Sequence, residues 1–214
     1  DVYKRQELNG VPMKLKGGCV HHDNGLLGSA AFDRAEERKI QLLKQNGFNA
    51  VRTSHNPMSE SFMSACDRLG MLVIDEAFDQ WKIKKNPEDY HLYFNEWSAR
   101  DIRSLVLRDR NHPSVIMWSI GNEIRERISD NGLKIAEDLK KEILKHDNTR
   151  PVTAGVNKYW DKDRKNMLSL EKAFRHLDVA GYNYMWRFYE EDHAKYPEPV
   201  SYTHLRAHET RGNL

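Results

Sequence analysis

Short apolar runs with almost no polar interruption recur along this chain, and each is followed by a stretch whose apolar residues fall three and four apart. Val115-Ile116-Met117-Trp118 is the plainest of these runs, and Met71-Leu72-Val73-Ile74 has the same character. A strand with one wet face alternates polar and apolar residues; a run without alternation is covered on both faces, as in a parallel sheet flanked by helices. Strand and helix take turns throughout, so the pattern predicts an α/β fold around a parallel sheet.

The elements follow in order. Leu8-Asn9-Gly10-Val11 is an Asn-Gly turn between short apolar arms, a strong hairpin signal, and it leads into a predicted strand over 13–20. Asp33 and Glu36 read as a capping-box start for a helix with Ile40, Leu42 and Leu43 as its buried stripe and Gly47 as its stop. A strand over 48–52 comes next, then a helix opened by Ser59, carrying Phe62, Met63, Cys66 and Leu69 at helical spacing, and closed by Gly70. Beyond it the reading is strand 71–74, helix 94–110 broken at His112-Pro113, strand 115–120, helix 132–146, strand 151–154, a short helix over 169–175 and strand 178–182.

Such a sheet is either doubly wound or closed. A dinucleotide fold needs a glycine-rich turn after its first strand, and neither G-x-G-x-x-G nor G-K-[ST] occurs. The expected fold is therefore a (β/α)8 TIM barrel, incomplete, with about six of its eight βα units in 214 residues, since the full barrel takes roughly 250.

Charge narrows the partners. Lys+Arg 34 against Asp+Glu 32 leaves a net charge of +2, no basic excess for nucleic acid and no polybasic block for an anionic membrane. No apolar stretch approaches the roughly 20 residues of a membrane span. The two cysteines, Cys19 and Cys66, read as buried thiols and leave the compartment open.

In a barrel, chemistry sits where the strands end. The ends here collect His21-His22-Asp23, Arg52 to Asn56, Asp75-Glu76, Asn122-Glu123, Asn157, and Asn183-Tyr184 with Trp186. A glutamate past a strand is often only the acidic start of the next helix, and Arg52 with Asp75 or Glu76 makes a plain ion pair; polar clusters at every end argue for a site. Adjacent His21 and His22 point to opposite sides of a strand, and no His-Glu-x-x-His pairing occurs, which disfavours a metal hydrolase. The missing G-x-S-x-G disfavours a serine hydrolase. Carboxylates, amides and aromatics remain, the groups that grip sugar hydroxyls and stack on sugar faces.

Four segments carry a resemblance: GGCVHHD (Gly17 to Asp23), FNAVRTSHNP (Phe48 to Pro57), LVIDEAF (Leu72 to Phe78) and RDRNHPSVIMWSIGNE (Arg108 to Glu123). Together they resemble the catalytic barrel of glycoside hydrolase family 2, whose members include β-galactosidases, β-glucuronidases and β-mannosidases. The resemblance implies Glu123 as general acid/base, Asn122 bonded to the hydroxyl beside the reacting carbon, and His21 and His55 lining the sugar pocket. Tyr184 matches a tyrosine that contacts the nucleophile, Trp186 joins the substrate-binding set, and Arg52, Asp75 and Glu76 stand as support. A retaining mechanism needs two carboxyl groups about 5–5.5 Å apart, one of them protonated. Trp118 and neighbouring carboxylates are expected to keep the proton on Glu123.

The chain departs from the family pattern in places. The nucleophile of the family lies on the seventh strand in a Ser-Glu motif, whereas here the chain runs after Tyr196-Pro-Glu-Pro199 into a segment with neither strand alternation nor helical stripe, where Glu209 has no apolar strand leading to it. Residues 1–6 and 200–214 resemble translated adaptor sequence, so the expected native segment is 7–199, and this chain is expected to turn over little substrate. Family members also carry a jelly roll and an immunoglobulin-like domain ahead of the barrel. A Glu-x-His after the third strand marks the magnesium-dependent branch; this chain has Asp79-Gln80-Trp81-Lys82 there, so no ion and no cofactor is expected. The expected function of the complete protein is that of a retaining exo-β-glycosidase acting on a carbohydrate substrate, foremost a β-galactosidase. The alternatives are a β-glucuronidase, a β-mannosidase or a non-catalytic carbohydrate-binding remnant, and self-association of the complete protein is left open.

Overall fold

Asn9 and Gly10 both take left-handed backbone (φ 53° and 77°), which turns β1 (Glu7–Leu8) directly back onto β2 (Val11–Pro12) as an antiparallel pair. The computed structural model describes residues 7–157 and 172–185, and the backbone of 201–203. A parallel sheet follows the hairpin: β3 (Gly17–Val20), β4 (Ala50–Thr53), β5 (Leu72–Glu76), β6 (Val115–Asn122), β7 (Val152–Val156), β8 (Val179–Tyr182) and β9 (Ser201–Thr203). Each strand pairs with the next in chain order. A doubly wound sheet reverses its order at a switch point; this one never does, so it is the arc of a barrel, an incomplete (β/α)8 fold.

Among the described residues the outside is covered by α1 (Asp33–Gln45), α2 (Glu60–Leu69), α3 (Phe94–Asp109) and α4 (Asp130–Leu144). Strand parity divides the apolar residues into two layers. Val51, Val73, Trp118 and Ile120 face outward into the main core with Phe62, Met63, Ile102 and Ile143, whereas Ala50 and Ile74 face inward with Leu72 and Met117, joined by Ile116 where the register between β5 and β6 shifts.

Several local expectations change. Ser59 caps α2 by accepting the Phe62 N–H at 3.2 Å, and Gly70 closes that helix at φ 67°, both as read. The capping box at α1 does not form: Phe32 is the N-cap residue and Asp33 the first helical one, while the buried Glu36 instead accepts from Asn24 at 2.8 Å and Lys39 at 3.2 Å. The first sheet strand is shorter than read, β5 and β6 run past their apolar stretches into polar residues, and β7 runs on through Gly155 and Val156. A seventh strand, β9, pairs with β8 where no strand was read. Residues 172–174 are helical, and the earlier part of the predicted 169–175 helix lies outside the described residues.

Candidate active site

The extra length of β5 and β6 puts Glu76 and Asn122 inside the sheet's hydrogen-bonded ladder, at the ends of the parallel strands that share one rim. Arg52, near the end of β4, is the hub. Its Nε and Nη2 lie 2.8 and 2.6 Å from Glu76 Oε2, Nη2 also donates to Asn122 Oδ1 at 2.9 Å, and Nη1 donates to Asn183 Oδ1 at 3.2 Å. One guanidinium therefore ties β4 to the ends of β5, β6 and β8. It can lie across β7 because that strand carries Gly155, where an added Cβ would come within 2.4 Å of Arg52 Nη2.

Glu76 is fully buried; its carboxylate also accepts from His55 Nδ1 at 2.6 Å and Ser119 Oγ at 2.5 Å, and its backbone N–H donates to Thr53 Oγ1 at 2.7 Å. Burial works against its charge, but the Arg52 charge and the bonds from His55 and Ser119 hold its carboxyl below the usual range. Arg52 is pushed the opposite way by Glu76, which outweighs its own burial and raises it. The His21 ring lies edge-on to that of His55, 5.5 Å between centres, and its burial and the neighbouring His55 lower it.

Glu123 follows directly on β6 and takes left-handed backbone (φ 47°), uncommon outside glycine and costly by about 1 kcal/mol. Both flanks of that turn are held: Glu123 N–H donates to Gly155 O at 2.6 Å, and Lys85 Nζ donates to Asn122 O at 2.8 Å. The turn leaves the Glu123 carboxylate half-buried, with Oε2 accepting from Asn157 Nδ2 at 2.6 Å and Oε1 from Asn183 Nδ2 at 3.0 Å. The Asn122 amide is locked as well, its oxygen taking Arg52 and Asn183 and its nitrogen donating to Asp79 Oδ1 at 2.9 Å. A carboxyl group and an amide N–H thus sit side by side on the rim, one able to exchange a proton and the other to hold a hydroxyl.

The match of known families decides the assignment: the model of Glycosyl hydrolases family 2, TIM barrel domain, covers residues 4–205. The chain belongs to this family. A β-galactosidase of Bacteroides ovatus is 43% identical over 215 residues, taking in 86% of this chain and 25% of that protein. A solved glycosyl hydrolase family 2 member from Bacteroides cellulosilyticus superimposes with a TM-score of 0.83 at 55% identity, over 89% of this chain and 24% of that one. Ruminococcus gnavus β-glucuronidase superimposes with a TM-score of 0.68 at 28% identity, over 82% and 29%. This family 2 chain therefore spans about a quarter of the length of the relatives it matches.

Of the residues singled out in the sequence, the structure brings together His21, Arg52, His55, Glu76, Asn122 and Glu123. Tyr184 lies next to Asn183, left-handed at φ 62° and 57% exposed. Trp186 lies outside the described residues, as does Glu209. Two assignments need correction, both for reasons of strand parity. Asp75, the neighbour of Glu76, faces the helices: it accepts from Thr53 Oγ1 at 3.3 Å and meets Asp109 of α3, and burial together with that second carboxyl raises it well above the usual range. Trp118, the neighbour of Ser119, also points outward and donates its indole N–H to Asp147 Oδ2 at 3.0 Å, so it does not wall Glu123.

Sequence reasoning passed over other members of this family 2 rim. Asn157 and Asn183 stood among the strand-end clusters without a role, yet they hold the Glu123 carboxylate. Asp79 and Lys85 lie in the loop after β5, 2.7 Å apart, and Lys85 also holds the Asn122 carbonyl. The one available signal was position: Asp79 comes three residues after Glu76, in the stretch noted only for lacking a Glu-x-His.

Proposed function

We propose that this chain is the acid/base-bearing part of a retaining exo-β-glycosidase, with Glu123 as the proton donor and a terminal β-galactoside as substrate. The observation that carries the reading is the placement of the Glu123 carboxylate at the rim end of β6, fixed by a left-handed turn and by the amides of Asn157 and Asn183, beside the Asn122 amide. Family membership and the similarity to a β-galactosidase of Bacteroides ovatus support it.

In the proposed double displacement, Glu123 protonates the glycosidic oxygen as an ionised carboxylate attacks the anomeric carbon, then takes a proton from the water that releases the sugar. Asn122 holds the hydroxyl beside the reacting carbon. The resemblance puts the attacking carboxylate on the seventh strand; the seventh strand here, β9, reads Ser201-Tyr202-Thr203 and supplies none, so that group is assigned to the complete protein. Expressed alone, the chain is therefore expected to bind sugar weakly and to turn over little.

The test uses the complete protein. Glu123→Gln should lower hydrolysis of an alkyl β-galactoside by about 10²–10⁴-fold, with a much smaller loss on a dinitrophenyl galactoside, whose leaving group departs without a proton. Equal losses on both substrates would remove the acid/base role. The likeness to Ruminococcus gnavus β-glucuronidase favours a glucuronide as the second reading, and side-by-side kinetics on galactoside and glucuronide decide between them.

A further inference from the structure

Asp79 has no part in the proton transfer, yet it sits on the same rim. Its Oδ1 accepts the Asn122 amide at 2.9 Å and the Lys85 ammonium at 2.7 Å. The Gln80 amide, turned so that its oxygen accepts the Tyr90 N–H at 2.7 Å, brings its nitrogen to 3.2 Å from Oδ2. None of this covers the group, for the Asp79 side chain is 38% exposed while its partner Lys85 is 13% exposed. Burial works to neutralise the carboxyl, but the Lys85 and Asn122 bonds hold it below the usual carboxylate range. What reaches the rim is a fixed negative charge with acceptor sites to spare, one amide away from Glu123.

The cations wired into this network have no charge to offer a ligand. Arg52 is spent on Glu76, Asn122 and Asn183, and Lys85 on Asp79 and the Asn122 carbonyl. Lys85 is itself fixed by its loop: its backbone N–H and that of Asn86 donate to Asp89 at 2.8 and 2.7 Å, and the N–H groups of Lys82 and Ile83 donate to Glu126 at 2.8 and 3.0 Å. A carboxylate held on such a scaffold accepts hydrogen bonds from neutral sugar hydroxyls and repels a sugar that carries its own carboxylate.

We infer that Asp79 is a specificity-determining residue that binds a hydroxyl of the substrate sugar and selects neutral glycosides over uronides. This inference rests on the glycosidase reading and narrows its substrate class.

Binding tests it without turnover. Calorimetry on the complete protein with galactono-1,5-lactone and with the matching lactone bearing a carboxylate at carbon 6 should show the neutral ligand bound more tightly. Asp79→Asn should weaken the neutral lactone by about 10- to 100-fold, the worth of one charge-assisted hydrogen bond, and leave the acidic one unchanged or tighter. Lys85→Met removes the clamp and keeps the charge, so it should weaken both lactones while the preference survives. Equal weakening of both ligands in Asp79→Asn, no weakening of either, or a wild-type preference for the acidic lactone would each overturn the assignment. The two readings fail separately: an unaltered lactone ratio in Asp79→Asn beside a leaving-group-dependent loss in Glu123→Gln removes the Asp79 assignment and leaves the glycosidase standing.

Discussion

Asp75 and Glu76 are consecutive residues of one strand, both fully buried carboxyls, and their surroundings shift them in opposite directions. Glu76 faces the rim, where Arg52, His55 and Ser119 converge on it and hold it ionised. Asp75 faces the helices, where burial and the neighbouring Asp109, already engaged by Arg108 through both oxygens, push its carboxyl well above the usual range. Burial is the same on both sides, so depth does not decide the charge; the partners on each face do. The rim face gathers donors around carboxylates, while the helix face uses its polar groups to fasten sheet to helix.

The contrast can be broken at its centre. Arg52→Met strands Glu76 without its cation and should cost about 3–5 kcal/mol, read from urea denaturation; a loss below about 1 kcal/mol would mean that the pair is dispensable. Gly155→Ala drives a methyl into the guanidinium and should cost about 1–3 kcal/mol, with weaker sugar binding by the complete protein because Asn122 and Asn183 lose their common anchor. On the other face, Trp118→Phe gives up the bond to Asp147 and should cost about 1–2 kcal/mol while leaving KM unchanged; a shift in KM would put the indole back in the pocket.

The mildest change is one of slope. Asp75 has its folded-state value raised above the unfolded one, so the folded chain binds the extra proton, and this contribution to stability is complete below the unfolded value of about 3.9 and is lost as pH rises through the folded value. Asp75→Asn keeps the shape and removes the titration. Its stability relative to the unsubstituted chain should therefore improve as pH is raised, measured by denaturation at about pH 5 and about pH 8. Glu76 runs the other way, contributing above its ordinary value and losing that contribution as pH falls through the lowered one.

The fold was legible because unbroken apolar runs have one common use, a sheet covered on both faces, and the absence of a phosphate-binding turn left the barrel. The rim was legible through residue type at strand ends, which is how Arg52, His55, Asn122 and Glu123 stood out. Parity was not. Two residues beyond the apolar run of β5, the sequence offers no mark that the ladder continues through Glu76, and without that register Asp75 and Glu76 cannot be sorted to their faces. The same blindness put Trp118 beside Glu123. Asp79 and Lys85 were invisible for a different reason: a loop residue shows its role only when the loop's anchors, here Glu126 and Asp89, are in place. The unformed box at α1 shows a third limit, since Glu36 had a better partner in Asn24 than in a helix end.

One arginine links the rim to the assembly of the sheet. The groups that satisfy Arg52 come from strands as far apart as residue 183, 131 positions downstream: Glu76 meets its charge once β4 and β5 have paired, and the amides of Asn122 and Asn183 reach it only when the arc to β8 has come together. A sheet that stops short of β8 leaves part of the guanidinium's bonding unmet, and that cost falls on partial structures and not on the finished one. The constellation that fixes the Glu123 carboxylate therefore doubles as a check on assembly: the same side chain that arranges the finished rim makes an unfinished one less stable.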